Sequence, residues 1–240
     1  MLSDCLLMIT SFLARSMRRR SFFQLAGATA ATSALVLTGC GKDDPTPPAG
    51  ANPNVLTLPA GDVGLLNYAY LLEQLEAAFY QKVLDAKLTD LLPGELAALT
   101  DLRDHEVIHR EFFKFALLDN AIPTLVFDFS SISFTSRLNV LTAAKKFEDL
   151  GVAAYNGVGK LVSSSAYLVL LAKIASVEAR HAAFIRDALQ PNSLATPDAT
   201  IIATAGDSTG FNIALTPREV LAAAAPFLPF AVDASQLPTS

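Results

Sequence analysis

The sequence predicts an all-α chain: a four-helix bundle of two antiparallel hairpins joined by one long crossover, with a short C-terminal helix added. Three observations predict it. Between Gly61 and Gln190 there are only two prolines, Pro93 and Pro123, and proline is excluded from helix interiors. The proline-free stretches are rich in Ala, Leu, Glu and Lys, all good helix formers. The connections run short, long, short, which joins two hairpins through a single crossover.

Four helices fit these stretches. The first runs roughly over 62–87, the second over 94–118, the third over 136–160 and the fourth over 164–189. The crossover, 119–135, alternates Leu125, Phe127 and Phe129, then Ile132 and Phe134. That pattern suits an extended segment laid against a core. Residues 191–215 read as loop. Thr216-Pro217-Arg218-Glu219 then forms a capping box with proline at the first helical position, so a short fifth helix should start there and stop before Pro226.

The chain has 240 residues, enough for one domain with a sizeable core. Hydrophobic residues make up 52% and charged residues 17%, which excludes a disordered chain. The net charge of −5 argues against a nucleic-acid partner, whose phosphates need a basic face. Two cysteines exclude a disulfide framework or a thiolate-rich metal site.

The first forty residues read as an address. Arg18, Arg19 and Arg20 precede Ser21, Phe22 and Phe23, a short apolar stretch follows, and Leu37-Thr38-Gly39-Cys40 closes it. This order of basic, apolar and small residues describes an export signal. Arg19 and Arg20 with Phe22 and Phe23 resemble a twin-arginine signal, and the last four residues resemble a bacterial lipobox with Cys40 as the lipidated residue. Met17, just before the arginines, is read as the natural first residue. Without residues 1–40 the chain keeps 14 basic and 22 acidic residues, a net of −8. Residues 41–59 hold five of the thirteen prolines and read as an extended tether. The expected division is therefore 1–40 signal, 41–59 tether, 60–190 bundle, and 191–240 C-terminal loop and helix. The expected location is the cell envelope, facing the periplasm or the outer surface, with the membrane as partner through Cys40.

The candidate chemistry repeats with the hairpins. On the second helix Glu106 and His109 lie three residues apart, and on the fourth Glu178 and His181 do the same. That spacing places both groups on one helix face, within reach of one ion. Two of only three histidines are used this way. On the first helix Glu73 precedes Tyr80 by seven residues, and on the third Glu148 precedes Tyr155 by seven. Each glutamate lies in an otherwise apolar stripe, where an ionised carboxylate is costly unless paired or bound to a cation. The first hairpin separates its leading glutamates by 33 residues and the second by 30.

One Glu-x2-His would be weak evidence. Two copies, each preceded by Glu-x6-Tyr, are strong. Glu76 competes with Glu73 but has no tyrosine seven residues on and no counterpart in the second hairpin, so it is not assigned. His105 lies about 100° round the helix from Glu106 and is expected at the surface or just behind the ligands. Tyr80 and Tyr155 read equally well as ordinary core tyrosines. A metal-free polar core remains the alternative for the six, against the expense of unpaired buried charge.

Four carboxylates and two imidazoles converging in a bundle match a two-metal carboxylate site, and oxygen and imidazole donors suit iron or manganese. The arrangement resembles the ferritin-like superfamily. The contexts Asp-His-Glu-Val-Ile-His-Arg-Glu-Phe and Glu-Ala-Arg-His-Ala-Ala-Phe-Ile-Arg are similar to the bacterial ferritin-like domain proteins related to desiccation-associated proteins. The resemblance implies a ferritin-like four-helix bundle with Glu73, Glu106, His109, Glu148, Glu178 and His181 as ligands of two Fe or Mn ions. It makes Glu106 and Glu178 bridging, Glu73 and Glu148 terminal, and Tyr80 and Tyr155 hydrogen-bond donors to the ligands. The implied activity is that of a di-metal oxidoreductase such as a ferroxidase or peroxidase, with O2 or peroxide as small-molecule substrate. A homodimer is an allowed state. The alternative is a non-enzymatic stress or desiccation-related protein with structural metal or none.

Overall fold

Helix boundaries follow the prolines and the caps. In the computed structural model, which describes residues 54–194 and 212–239, α1 spans Gly61–Asp85 and α2 spans Glu95–Leu117. Helix α3 spans Arg137–Gly159 and α4 spans Ser165–Leu189. These bounds lie within one or two residues of those expected from sequence, the usual looseness of helix ends. Ser136 caps α3 by accepting the Asn139 N–H at 3.3 Å, and Ser164 caps α4 by accepting the Tyr167 N–H at 3.4 Å. Gly94, with φ of 90°, takes the left-handed turn that leads into α2. Asp62 accepts the N–H groups of Ser163 and Ser164, each at 2.8 Å, and so ties the start of α1 to the turn between α3 and α4.

Helix α1 packs on α2 and α3 packs on α4, and the hairpins meet along α1 and α3. Helix α1 is buried without a break from Gly64 to Ala77, as a helix enclosed on all sides must be. The core falls into two apolar clusters. One holds Leu65, Leu72, Phe113, Tyr155 and Val158. The other holds Leu75, Phe79, Tyr80, Leu141 and Phe147. On α1 the two clusters divide at Glu73, Gln74 and Glu76, which are themselves buried. A polar layer therefore cuts across an apolar bundle.

The crossover alternates as expected. Phe129 is buried, Phe127, Ile132 and Phe134 pack half-buried on the same cluster, and Val126 faces outward. Its backbone is held by α1. Asn67 accepts the Ile122 N–H at 2.7 Å and donates to the Asn120 carbonyl at 2.8 Å. Gln74 accepts the Leu125 N–H at 2.8 Å and donates to the Pro123 carbonyl at 3.3 Å.

Residues 55–59 depart from the expected tether. Val55–Thr57 forms strand β1, paired in parallel with β2 at Ala231–Asp233, Leu56 opposite Val232. Leu58, next along, is fully buried. A segment that finds a strand partner and buries a leucine belongs to the folded unit, so that part of the tether assignment is corrected.

Helix α5 spans Pro217–Ala224, starts in the capping box of Thr216 and Glu219, and leads into a 3-10 turn at Ala225–Phe227. It packs on α3. Just before it, the Leu215 N–H donates to the Ala153 carbonyl at 3.0 Å. A Cβ at Gly157 would lie 1.8 Å from the Leu215 carbonyl oxygen, so this crossing requires glycine. Among the described residues no helix is long and apolar enough to cross a membrane.

Candidate metal centre

The polar layer brings together all six candidate ligands. Glu73, Glu106, Glu148 and Glu178 are fully buried, and His109 and His181 nearly so. The i, i+3 spacing on α2 and α4 sets each glutamate beside its own histidine, as the sequence predicts.

The oxygens are shared out in an ordered way. The His109 Nδ1 lies 3.3 Å from Glu73 Oε2, 3.3 Å from Glu106 Oε2 and 3.0 Å from Glu178 Oε1. The His181 Nδ1 lies 2.7 Å from Glu106 Oε1, 3.7 Å from Glu148 Oε2 and 3.9 Å from Glu178 Oε2. Glu106 and Glu178 thus each send one oxygen to either half. Glu73 serves one half and Glu148 the other. Two groups of four donors result, each able to hold an ion: Glu73, Glu106, His109 and Glu178, and Glu106, Glu148, Glu178 and His181.

The tyrosines hold Glu148 and Glu73 from across the bundle. Tyr80 on α1 donates to Glu148 Oε1 on α3, and Tyr155 on α3 donates to Glu73 Oε1 on α1. Seven residues of helix rise by about 10.5 Å, so neither tyrosine serves the glutamate of its own stripe. Long helical side chains lean toward the N-terminus, which brings each hydroxyl back to the carboxylate layer. The opposite oxygens, Glu73 Oε2 and Glu148 Oε2, stay turned inward.

A metal pair fits this donor set. Among the described residues, eight buried side-chain polar atoms make no well-aligned hydrogen bond, and six of them belong here, met only by the imidazole–carboxylate contacts above: Glu73 Oε2, Glu106 Oε1, Glu148 Oε2, both oxygens of Glu178, and His181 Nδ1. Buried orphans concentrated in one layer and turned to its middle are what a cation would satisfy.

Protons fill that role in the metal-free fold. Burial is the first cause that pushes Glu106 and Glu178 up to about 8. Burial, then the Glu106 and Glu178 charges, push Glu148 well above the carboxylate range. Burial disfavours a charge on His109, but Glu73, Glu106 and Glu178 outweigh it and raise its pKa. Burial holds His181 down. Burial, then the neighbouring carboxylates, also raise Tyr80 and Tyr155, which keeps both hydroxyls protonated as donors.

Two residues left unassigned by sequence also fall at the centre. Glu76 is buried, and burial followed by the Glu178, Glu106, Glu148 and Glu73 charges raises its pKa. Its burial was signalled by α1 itself, which is apolar on every face. His105 is exposed, as expected, yet its Nδ1 lies 2.9 Å from the His181 Nε2 and its ring stacks on His181 at 5.2 Å. All three histidines therefore gather on one side of the layer. Arg19, Arg20, Phe22, Phe23 and Cys40 lie outside the described residues.

Fold and site define a class: helical bundles that carry a buried carboxylate and histidine cluster between two hairpins. The model of the ferritin-like domain family matches residues 61–191, and the chain belongs to that family. No curated protein sequence matches it.

Proposed function

We propose that this chain is an exported, lipid-anchored ferritin-like protein whose bundle holds two iron or manganese ions for redox chemistry. The reaction is oxidation of Fe(II) by O2 or peroxide, or removal of peroxide. The observation that carries the reading is the division of Glu106 and Glu178, each with one oxygen toward His109 and one toward His181. A single ion needs no such division, and a purely structural layer of ion pairs would align its hydrogen bonds rather than leave six inward-facing polar atoms without a well-aligned one.

Held by Glu73, Glu106, His109, Glu148, Glu178 and His181, such an ion pair would supply redox change at two metal centres. The chain's own residues supply the rest. Glu73 and Glu148 are held in one orientation by Tyr155 and Tyr80. The two apolar clusters keep water from either end of the layer. Loading must expel the protons held on Glu106, Glu178 and His109, so the site exchanges protons for cations.

The export and anchoring parts of the reading rest on the twin-arginine run and the Leu-Thr-Gly-Cys segment. Export in the folded state would let the centre load before the protein meets competing metals outside. Replacing Arg19 and Arg20 by Lys should block export, and Cys40→Ala should release the protein from membranes. Normal export and unchanged membrane association would contradict this part.

Metal analysis of the purified protein tests the chemistry. About two Fe or Mn per chain are expected, lost together in Glu106→Ala/Glu178→Ala, with an optical spectrum that changes on adding peroxide. A fully folded, metal-free protein would point instead to the non-enzymatic binding or packing role.

A further inference from the structure

From Val220 to Val232 the chain runs for thirteen residues without a polar side chain, bounded by Glu219 and Asp233. The run is covered on one side only. Val220, Leu221 and Ala224 of α5 are buried. Ala222, Ala223, Ala225 and Ala231 are exposed, and Phe230 and Val232 are only half-buried. Leu221, Leu228, Phe230 and Val232 line a groove of about 640 Å3. Contiguous exposed apolar surface of this kind marks a place of contact.

The rim of the groove carries a cation. Arg218 borders it, is exposed, and makes no ion pair among the described residues. The two acids that bound the run are each engaged by backbone. Glu219 accepts the Thr216 N–H at 2.8 Å, and Asp233 accepts the Ser235 N–H at 2.9 Å. An apolar hollow with a cation at its edge complements the acyl chains and phosphates of a lipid surface.

The course of the chain brings such a surface here. The Ala231 N–H donates to the Asn54 carbonyl at 2.9 Å, so the segment that follows Cys40 joins the fold at this apolar run. Fourteen residues lead from Cys40 to Asn54. Extended at about 3.1 Å per residue, as proline-rich chain is, they reach roughly 43 Å. That is little more than the length of α1, about 38 Å for its 25 residues. A lipid on Cys40 therefore presents this face to the bilayer at high effective concentration.

We propose that the face made by α5 and β2 is a membrane-docking surface, seated on the bilayer that holds the Cys40 lipid. The inference rests on the lipid-anchored reading above and adds an orientation to it. Ala222, Phe230 and Ala231 lie at the boundary of headgroups and acyl chains, with Arg218 against lipid phosphate. The domain then rests on the membrane through this face instead of swinging free on its tether.

The test uses the lipid-anchored protein in vesicles of phosphatidylethanolamine and phosphatidylglycerol. A fluorophore is attached at Ala222→Cys, at Ala231→Cys or, as control, at Ala97→Cys, an exposed position at the start of α2. In that form no other thiol is free, because Cys5 lies in the removed signal and Cys40 carries the lipid. Nitroxide-bearing lipid should quench the labels at Ala222 and Ala231 and leave the label at Ala97 bright. Ala222→Asp/Arg218→Glu, both at exposed positions, should reduce quenching at Ala231 and leave the melting temperature unchanged. Equal brightness of all three labels on protein that stays with the vesicles would overturn the inference and leave the anchoring reading intact. Energy transfer between Ala222 labels on different copies, without lipid quenching, would assign the face to a second copy and overturn the inference. Quenching at Ala231 that ignores the double variant would overturn it too. A protein that does not associate with the vesicles would overturn both readings.

Discussion

Tyr155 on α3 donates its hydroxyl hydrogen to Glu73 on α1, 82 residues earlier in the chain. Tyr80 and Glu148 repeat the arrangement in the opposite direction. Each hairpin therefore orients a buried glutamate of the other, and the polar layer is assembled only when the hairpins meet. Tyr155→Phe should weaken the ion on the Glu73 side by about ten- to a hundredfold, with Tyr80→Phe acting on the Glu148 side. Mn2+ titration of each variant checks this. Unchanged affinities would make the tyrosines ordinary core residues.

His105 holds the outer face of His181. With the His181 Nδ1 turned to the carboxylates, its Nε2 meets the His105 Nδ1 at 2.9 Å. Such a partner fixes ring orientation and tautomer. His105→Ala should lower affinity for the ion beside His181 by about tenfold, with partial recovery in His105→Gln, which keeps a polar partner. Because the residue is exposed, melting temperature should change little. A large loss of stability with unchanged metal affinity would contradict the role.

The pH dependence of the metal-free protein has a definite sign. Glu106 and Glu178 keep their protons up to about pH 8 in the fold, whereas ordinary glutamates release them near 4.5. Between these values the native state binds more protons than the unfolded chain, so stability falls as pH rises through the window. His109, with its raised pKa, adds a loss of the same sign above its ordinary value of 6.5. His181, with its lowered pKa, acts in the opposite sense below 6.5. With four raised carboxyls, Glu76, Glu106, Glu148 and Glu178, against two lowered imidazoles, His105 and His181, the metal-free melting temperature should decline from pH 5 to pH 8. The gain on adding Mn2+ should grow over the same range. A metal-free melting temperature that climbs from pH 5 to pH 8 would count against a carboxyl-rich centre.

The polar anchors of the crossover should matter for stability and not for metal. Asn67→Ala would leave the Ile122 N–H and the Asn120 carbonyl without their partner inside the protein. An unpaired buried group costs about 1–3 kcal/mol, which chemical denaturation should register while metal stoichiometry stays at the wild-type value. Leu58→Ala should lose about 2–5 kcal/mol, as a fully buried leucine does. If Leu58 were part of a free tether, that change would have no effect.

The parts of this molecule that can be read from sequence are those governed by local rules or by repetition. Proline placement and Ser, Thr and Gly caps set the helices. The doubled Glu-x6-Tyr and Glu-x2-His spacings pointed to six residues that the fold brings into one layer. The same reliance on repetition hid Glu76, because its counterpart is Gly151 and a search for matched pairs discards it. The crossed pairing of Tyr80 with Glu148 was hidden because spacing along one helix says nothing of a partner on another. Strand β1 was hidden by its partner, Ala231–Asp233, far along the chain. Val55–Thr57 lies between Pro53 and Pro59 and reads locally as tether. Asn67 and Gln74 could have been suspected, since polar residues on a helix apolar all round must be buried and must find partners.

Sharing of Glu106 and Glu178 between two ions is tested by anomalous diffraction at the manganese edge, from crystals of Mn2+-loaded protein. Two peaks about 3.5–4 Å apart are predicted, one beside His109 and one beside His181, with Glu106 and Glu178 between them. A single peak, or peaks outside the layer of Glu73, Glu106, Glu148 and Glu178, would contradict it.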